Sequence, residues 1–205
     1  MATLTAPDGA TLTRSVSAST ALSQEPWLSV SGTPKLGATL SVVTGGAGWK
    51  LWSVAWTLDG KVQPHTSYRK PSITLTDYRV LNKTLAVTAT MVRGATTRSF
   101  SVPVGKVQLG TLTVVGTPTI SGTPAAGKKL VVKGIKFSPT ASLSYRWYLN
   151  DHVVSKKAIK GHSASWSWIT VPKGWKGKDL SVRVTGSRYG YAALAVDSAE
   201  VTVTK

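Results

Sequence analysis

Leu143-Ser144-Tyr145-Arg146-Trp147-Tyr148-Leu149-Asn150-Asp151 decides how this chain is read, together with an earlier stretch of the same design, Trp52-Ser53-Val54-Ala55-Trp56-Thr57-Leu58-Asp59-Gly60. In both, alternate residues are large and apolar (Leu143, Tyr145, Trp147, Leu149; Trp52, Val54, Trp56, Leu58), the period-two pattern of a strand with one face on a core. Asp59-Gly60 and Asn150-Asp151 then tolerate the positive φ of a tight turn, so each Trp strand reverses into a partner beginning near Val62 or Val153. Trp56 and Trp147 are expected at the centres of two cores.

Other landmarks recur in the same order. Ser31-Gly32-Thr33-Pro34 and Leu40-Ser41-Val42 precede the first Trp strand, and Ser121-Gly122-Thr123-Pro124 and Leu130-Val131-Val132 precede the second. After the Trp strands, Ser72-Ile73-Thr74-Leu75 aligns with Ser165-Trp166-Ser167-Trp168, and Leu85-Ala86-Val87 with Leu180-Ser181-Val182. A nearly constant offset with small drifts is the signature of tandem copies with loop insertions. The 205 residues divide into an N-terminal arm (1–25), a first module (26–108) and a second (109–205). Each module offers about seven short strands around one central Trp, the outline of an immunoglobulin-like β-sandwich. The fold class is therefore all-β, two tandem sandwiches preceded by an extended N-terminal arm.

Composition agrees. With 41% hydrophobic residues, 8 Trp and 16% charged residues, the chain has enough apolar surface for packed cores. It has no Cys, so disulfides and thiolate metal sites do not contribute, and packing alone holds the sandwiches. The net charge of +17 divides into +7 for residues 1–110 and +10 for 111–205, so the basic field belongs to the modules and favours anionic partners. No segment is long enough to span a bilayer, and Met1–Asp8 has neither a basic region nor an apolar run of leader length. As written, the protein is expected to be made in the cytoplasm and to stay soluble; a mature fragment of a secreted protein restarted at Met reads the same way.

Gly-Thr-Pro-x-x-Gly-x-x-Leu, then Tyr145-Arg146-Trp147-Tyr148-Leu149-Asn150-Asp151, then Gly177-Lys178-Asp179-Leu180-Ser181-Val182-Arg183-Val184-Thr185-Gly186-Ser187 with Gly190-Tyr191, resembles the Ig-like repeat of actinobacterial surface proteins and of virion proteins of their phages. The resemblance covers residues 26–205 and is looser in the first module, where Met91-Val92-Arg93-Gly94 stands in place of Thr-Gly-Ser. It implies a spacer, adhesin or decoration.

Candidate chemistry is sparse. His65, His152 and His162 have no ligand spacing and fall in turns or loops, the eight acids form no carboxylate pair, and Gly45-Gly46-Ala47-Gly48 lacks the helix of a phosphate loop. No catalytic group, metal site or cofactor is expected. Trp52, Trp56, Trp147, Trp166 and Trp168 fall on inward positions by parity, whereas Trp27, Trp49 and Trp175 lie in loops or at module edges, where a sugar or protein partner stacks. Lys156, Lys157 and Lys160 form a basic cluster suited to a partner of opposite charge. With no helix for a groove and no stacking motif on a nucleic-acid fold, specific nucleic-acid recognition is not expected.

Residues 1–25 are too poor in apolar side chains to fold alone, and Leu4, Leu12, Val16 and Leu22 are the groups an anchoring partner would cover. The resemblance, the missing leader and this arm together imply a non-enzymatic virion protein of an actinobacterial phage. It would be an accessory decoration of capsid or tail, made in the host cytoplasm and docked on the virion lattice. The alternative is a secreted cell-wall or carbohydrate-binding module facing an anionic cell-wall polymer at the cell surface. A second copy of the chain is a further admissible partner.

Overall fold

The computed structural model describes residues 2–5, 11–14, 25–63, 71–155, 157–159 and 166–204, with side chains from residue 25 onward. Near the N-terminus β1 (Ala2–Thr5) and β2 (Thr11–Arg14) pair antiparallel, with Leu4 opposite Leu12 in the ladder. The sequence suggested only an extended arm. Thr-rich β-branched runs on both sides of Pro7-Asp8-Gly9, a turn-forming triplet, favour a hairpin.

The first module comprises β3 (Trp27–Ser31), β4 (Thr39–Gly45), β5 (Lys50–Leu58), β6 (Lys61–Val62), β7 (Ser72–Thr74), a 3-10 turn at Tyr78–Val80, β8 (Thr84–Arg93) and β9 (Thr96–Lys106). Two antiparallel sheets, β3-β4-β7 and β6-β5-β8-β9, enclose one core. Leu40 and Val42 come from the first sheet, and Val54, Trp56, Leu58, Leu85, Val87 and Ala89 from the second. This strand order is that of an immunoglobulin-like sandwich.

In the second module β10 (Gly110–Thr111), β11 (Thr113–Val115), β12 (Thr119–Ser121), β13 (Lys129–Lys133), β14 (Lys136–Ser138), β15 (Ser142–Leu149), β16 (His152–Val153), β17 (Trp168–Thr170), a 3-10 turn at Lys173–Trp175, β18 (Asp179–Ser187), β19 (Tyr191–Ala192), β20 (Leu194–Asp197) and β21 (Val201–Thr202) repeat the plan. Sheets β12-β13-β17 and β16-β15-β18-β20 pack around Leu130, Trp147, Ile169, Leu180 and Val182, each fully buried. The chain is all-β, a tandem of two such sandwiches.

The turns behave as their residues demand. Asp59 and Gly60 have φ of 48° and 77°, Asn150 and Asp151 of 46° and 63°. Each turn is also tied to the next long strand: Asp59 Oδ1 accepts from Thr84 N at 2.8 Å, and Asn150 Oδ1 from Asp179 N at 2.8 Å.

The two modules meet end to end with almost no linker. Val107 is 1% exposed in the first module and Leu112 is 3% exposed in the second core. Between them, Gln108 N donates to Pro34 O, Leu36 N to Gln108 O, and Gly110 N to Gly190 O at 2.8–3.0 Å. β10 runs parallel to β19, with Gly110 opposite Tyr191. Tyr78 and Tyr189 meet edge to face across the joint at 4.5 Å, and buried Gly190 lies so close to Leu36 that a Cβ there would overlap it. Trp27, Gly45, Lys50 and Arg93 all lie at the other end of the first module, where the N-terminal segment arrives over Gly46 at Glu25-Pro26.

Candidate functional site

Two aromatic clusters face solvent. The first is at the end of the first module remote from the joint. The Trp27 ring, 47% exposed, lies on Gly45, where a Cβ would collide with it, and the Arg93 guanidinium sits 5.1 Å over the half-buried Trp49. Trp52, expected inward, is 46% exposed. The cause is a β-bulge: Leu51 pairs with Met91 and Ser53 with Thr90, so Trp52 is the extra residue and the alternation reverses through it. Leu51 packs on the core in its stead.

The second cluster was not expected from the sequence. Trp166 and Trp168 were placed inward, yet Trp166 is 41% exposed and the inward residue of β17 is Ile169, opposite Leu130. In the first module the corresponding pair is Ile73 opposite Leu40, so Trp168 matches Ser72, and the sequence alignment of Ser72 with Ser165 is out of register. On the outer face the Trp166 and Trp168 rings lie 5.1 Å apart, tilted by 43°, and Lys129 Nζ is 4.2 Å from the Trp168 centroid. A hydrogen bond of 2.9 Å from Trp147 Nε1 to the carbonyl of Trp166 fixes this backbone from the core side. The Ile73/Ile169 match was the signal that could have found it.

Trp175 is corrected in the opposite sense. It was expected at a partner-binding edge, but it is 6% exposed and belongs to the second core. The 3-10 turn Lys173–Trp175 folds it under the end of the sandwich, where Trp175 O accepts from Lys178 N at 3.0 Å. Lys157 is exposed in a turn, while Lys156 and Lys160 lie outside the described residues, as do Val16, Leu22, His65 and His162. For Leu4 and Leu12 only the ladder position is described. Trp56 and Trp147 are 1% and 0% exposed, and His152 is exposed in β16.

Polar chemistry is thin. Among the described residues no three His, Cys, Asp or Glu side chains converge on a possible metal site, and no helix is long and apolar enough to cross a membrane. Arg183 holds Asp197 through two hydrogen bonds of 2.7 and 2.8 Å on exposed β18 and β20, and this bonding lowers the Asp197 carboxyl below its ordinary range. At the joint a cleft of about 270 Å³ is lined by Lys35, Thr111, Ser138, Pro139 and Tyr191, with Lys35 Nζ 3.4 Å from Thr111 Oγ1. None of these groups pairs a nucleophile with a base.

No protein-family model matches the chain, nor does any curated protein. Among solved structures it is similar to a chimeric titin Z1Z2 carrying an exogenous peptide from decorin (14% identity, 89% of this chain and 98% of that one, TM-score 0.32). It is also similar to a two-domain fibronectin type III segment of chicken tenascin (14%, 83% and 95%, 0.34). A third is the three N-terminal domains of the highly immunogenic outer capsid protein of bacteriophage RB49 (16%, 84% and 58%, 0.34). Identities and TM-scores this low transfer no activity or partner.

Proposed function

We propose that this protein is a non-enzymatic accessory structural protein, a decoration on the capsid or tail of an actinobacterial phage, attached through its N-terminal segment. The observation that carries this reading is the joint. Val107 and Leu112 lie in consecutive cores, and Gly110 and Gly190 are hydrogen-bonded, so the second module is held away from the end at which Glu25-Pro26 enters the first. A spacer with an attachment segment at one end and a basic module at the other suits projection from a lattice. The motifs from Gly-Thr-Pro to Gly190-Tyr191 supply the phage part of the reading by resemblance.

The test is co-sedimentation with phage particles of the full chain and of a chain lacking residues 1–25. The full chain is expected to pellet with particles and the shortened one to stay in the supernatant with both modules folded. A shortened chain that decorates particles at full occupancy would place attachment in the modules and sink the proposal.

A further inference from the structure

The two modules share a sheet plan but differ at one face, and the difference points to a ligand. On the outer face of β3-β4-β7 the positions matching Lys129 and Trp168 hold Thr39 and Ser72, and Thr39 Oγ1 is spent on Thr74 Oγ1 at 2.9 Å. The sandwich therefore does not require an aromatic or a cation at these places. In the second module β13 alternates Leu130 and Val132 inward with Lys129, Val131 and Lys133 outward. Trp168 stands directly opposite Val131, so Lys129 and Lys133 flank it along the neighbouring strand, within reach of long side chains. Trp166, its backbone held by Trp147, extends the aromatic surface.

We infer that the Trp166–Trp168–Lys129–Lys133 face of the second module binds an acidic polysaccharide. The Trp166 side chain, 41% exposed, would meet the C–H face of a sugar ring with its solvent-facing part, and Lys129 and Lys133 would meet carboxylates carried by neighbouring sugars. The module's charge of +10 adds long-range attraction of the same sign. Thr170 stands beside Lys129 in register, while the Thr119 hydroxyl donates to the Lys133 carbonyl at 3.4 Å. This inference stands apart from the virion reading and holds for any surface the protein decorates.

The experiment is affinity electrophoresis of the full chain in gels containing polygalacturonate, dextran or oligothymidylate. Polygalacturonate is expected to retard the parent and dextran to leave it unaffected. Trp166→Ala and the pair Lys129→Thr with Trp168→Ser, which installs the first module's residues, are each expected to weaken polygalacturonate binding about tenfold. Lys173→Ser with Lys176→Ser, which removes two positive charges elsewhere against the one lost in the Thr/Ser pair, is expected to change it little. The melting transition reports folding, and if Trp166→Ala is unfolded the Thr/Ser pair carries the test. Undiminished binding in the folded variants, equal loss in the Lys173/Lys176 variant, or tighter binding of oligothymidylate with the same dependence on Trp166 would overturn the inference.

Discussion

The indole N–H of Trp147, at the centre of the second core, donates to the backbone carbonyl of Trp166, 2.9 Å away, whose own ring is on the surface. Core and outer face are thus joined by one bond. Trp56, the matching residue of the first module, has its Nε1 buried with no partner among the described residues, and residue 70, the counterpart of Trp166, lies outside them.

Trp147→Ala is expected to cost about 3–5 kcal/mol through lost burial and the cavity left behind. Trp147→Phe keeps most of the volume but orphans the Trp166 carbonyl, for about 1–3 kcal/mol. Urea unfolding followed by circular dichroism measures both. A Trp147→Ala protein that melts within a degree or two of the parent would remove Trp147 from its central place.

The hairpin turns make a second prediction. Asn150→Ala loses the bond from Asp179 N and puts Ala at a φ of 46°, so a loss of about 1–3 kcal/mol is expected, with Asn150→Gly recovering the backbone part. Asp59→Ala should act alike in the first module, where Thr84 N is the donor. Thermal melts of the four proteins decide; an Asn150→Ala melt superimposable on the parent contradicts the account.

Gly190→Ala tests the joint. Gly190 is buried at φ 82° against Leu36, Tyr78 and Leu81 of the other module, and a methyl has no place there. Both sandwiches are expected to stay folded while their separation widens in small-angle scattering. An unchanged maximum dimension would show that the joint does not depend on this contact.

The Arg183–Asp197 pair gives a pH dependence. Hydrogen bonding to Arg183 lowers the Asp197 carboxyl, so its contribution is present above the ordinary carboxylate range and is lost as pH falls through the lowered value. Both side chains are about half exposed, at 48% and 54%, which makes the effect small and salt-sensitive. Asp197→Asn is expected to reduce slightly the drop in denaturation midpoint between neutral and strongly acid pH; an undiminished drop would assign the pair no role.

Strand parity and turn chemistry made much of the fold legible. Asp59-Gly60 and Asn150-Asp151 have the backbone that their residue types favour, and Trp56 and Trp147 follow from alternation counted back from those turns. The same counting fails beyond Val54, because a bulge leaves no mark where the neighbours Leu51 and Trp52 are both apolar, and Trp52 turns outward. It fails again at Trp166-Ser167-Trp168-Ile169, where either parity places large apolar residues inside and only the pairing of Ile169 with Leu130 decides. Trp175 was misplaced because a 3-10 turn tucks it under the sheet ends, a closure that strand periodicity does not register. The aromatic surface of the second module was hidden by the same ambiguity.

The near-absence of slack between Val107 and Leu112 has a mechanical meaning. Four residues, all drawn into the backbone pairing of the joint or confined between its bonds, cannot absorb rotation as a flexible tether does. Turning the first module about its long axis therefore swings the Trp166 side of the second through the same angle. The protein acts as a strut whose azimuth is set where it is fastened, and copies fastened in an ordered array would all present that side in directions fixed by the array.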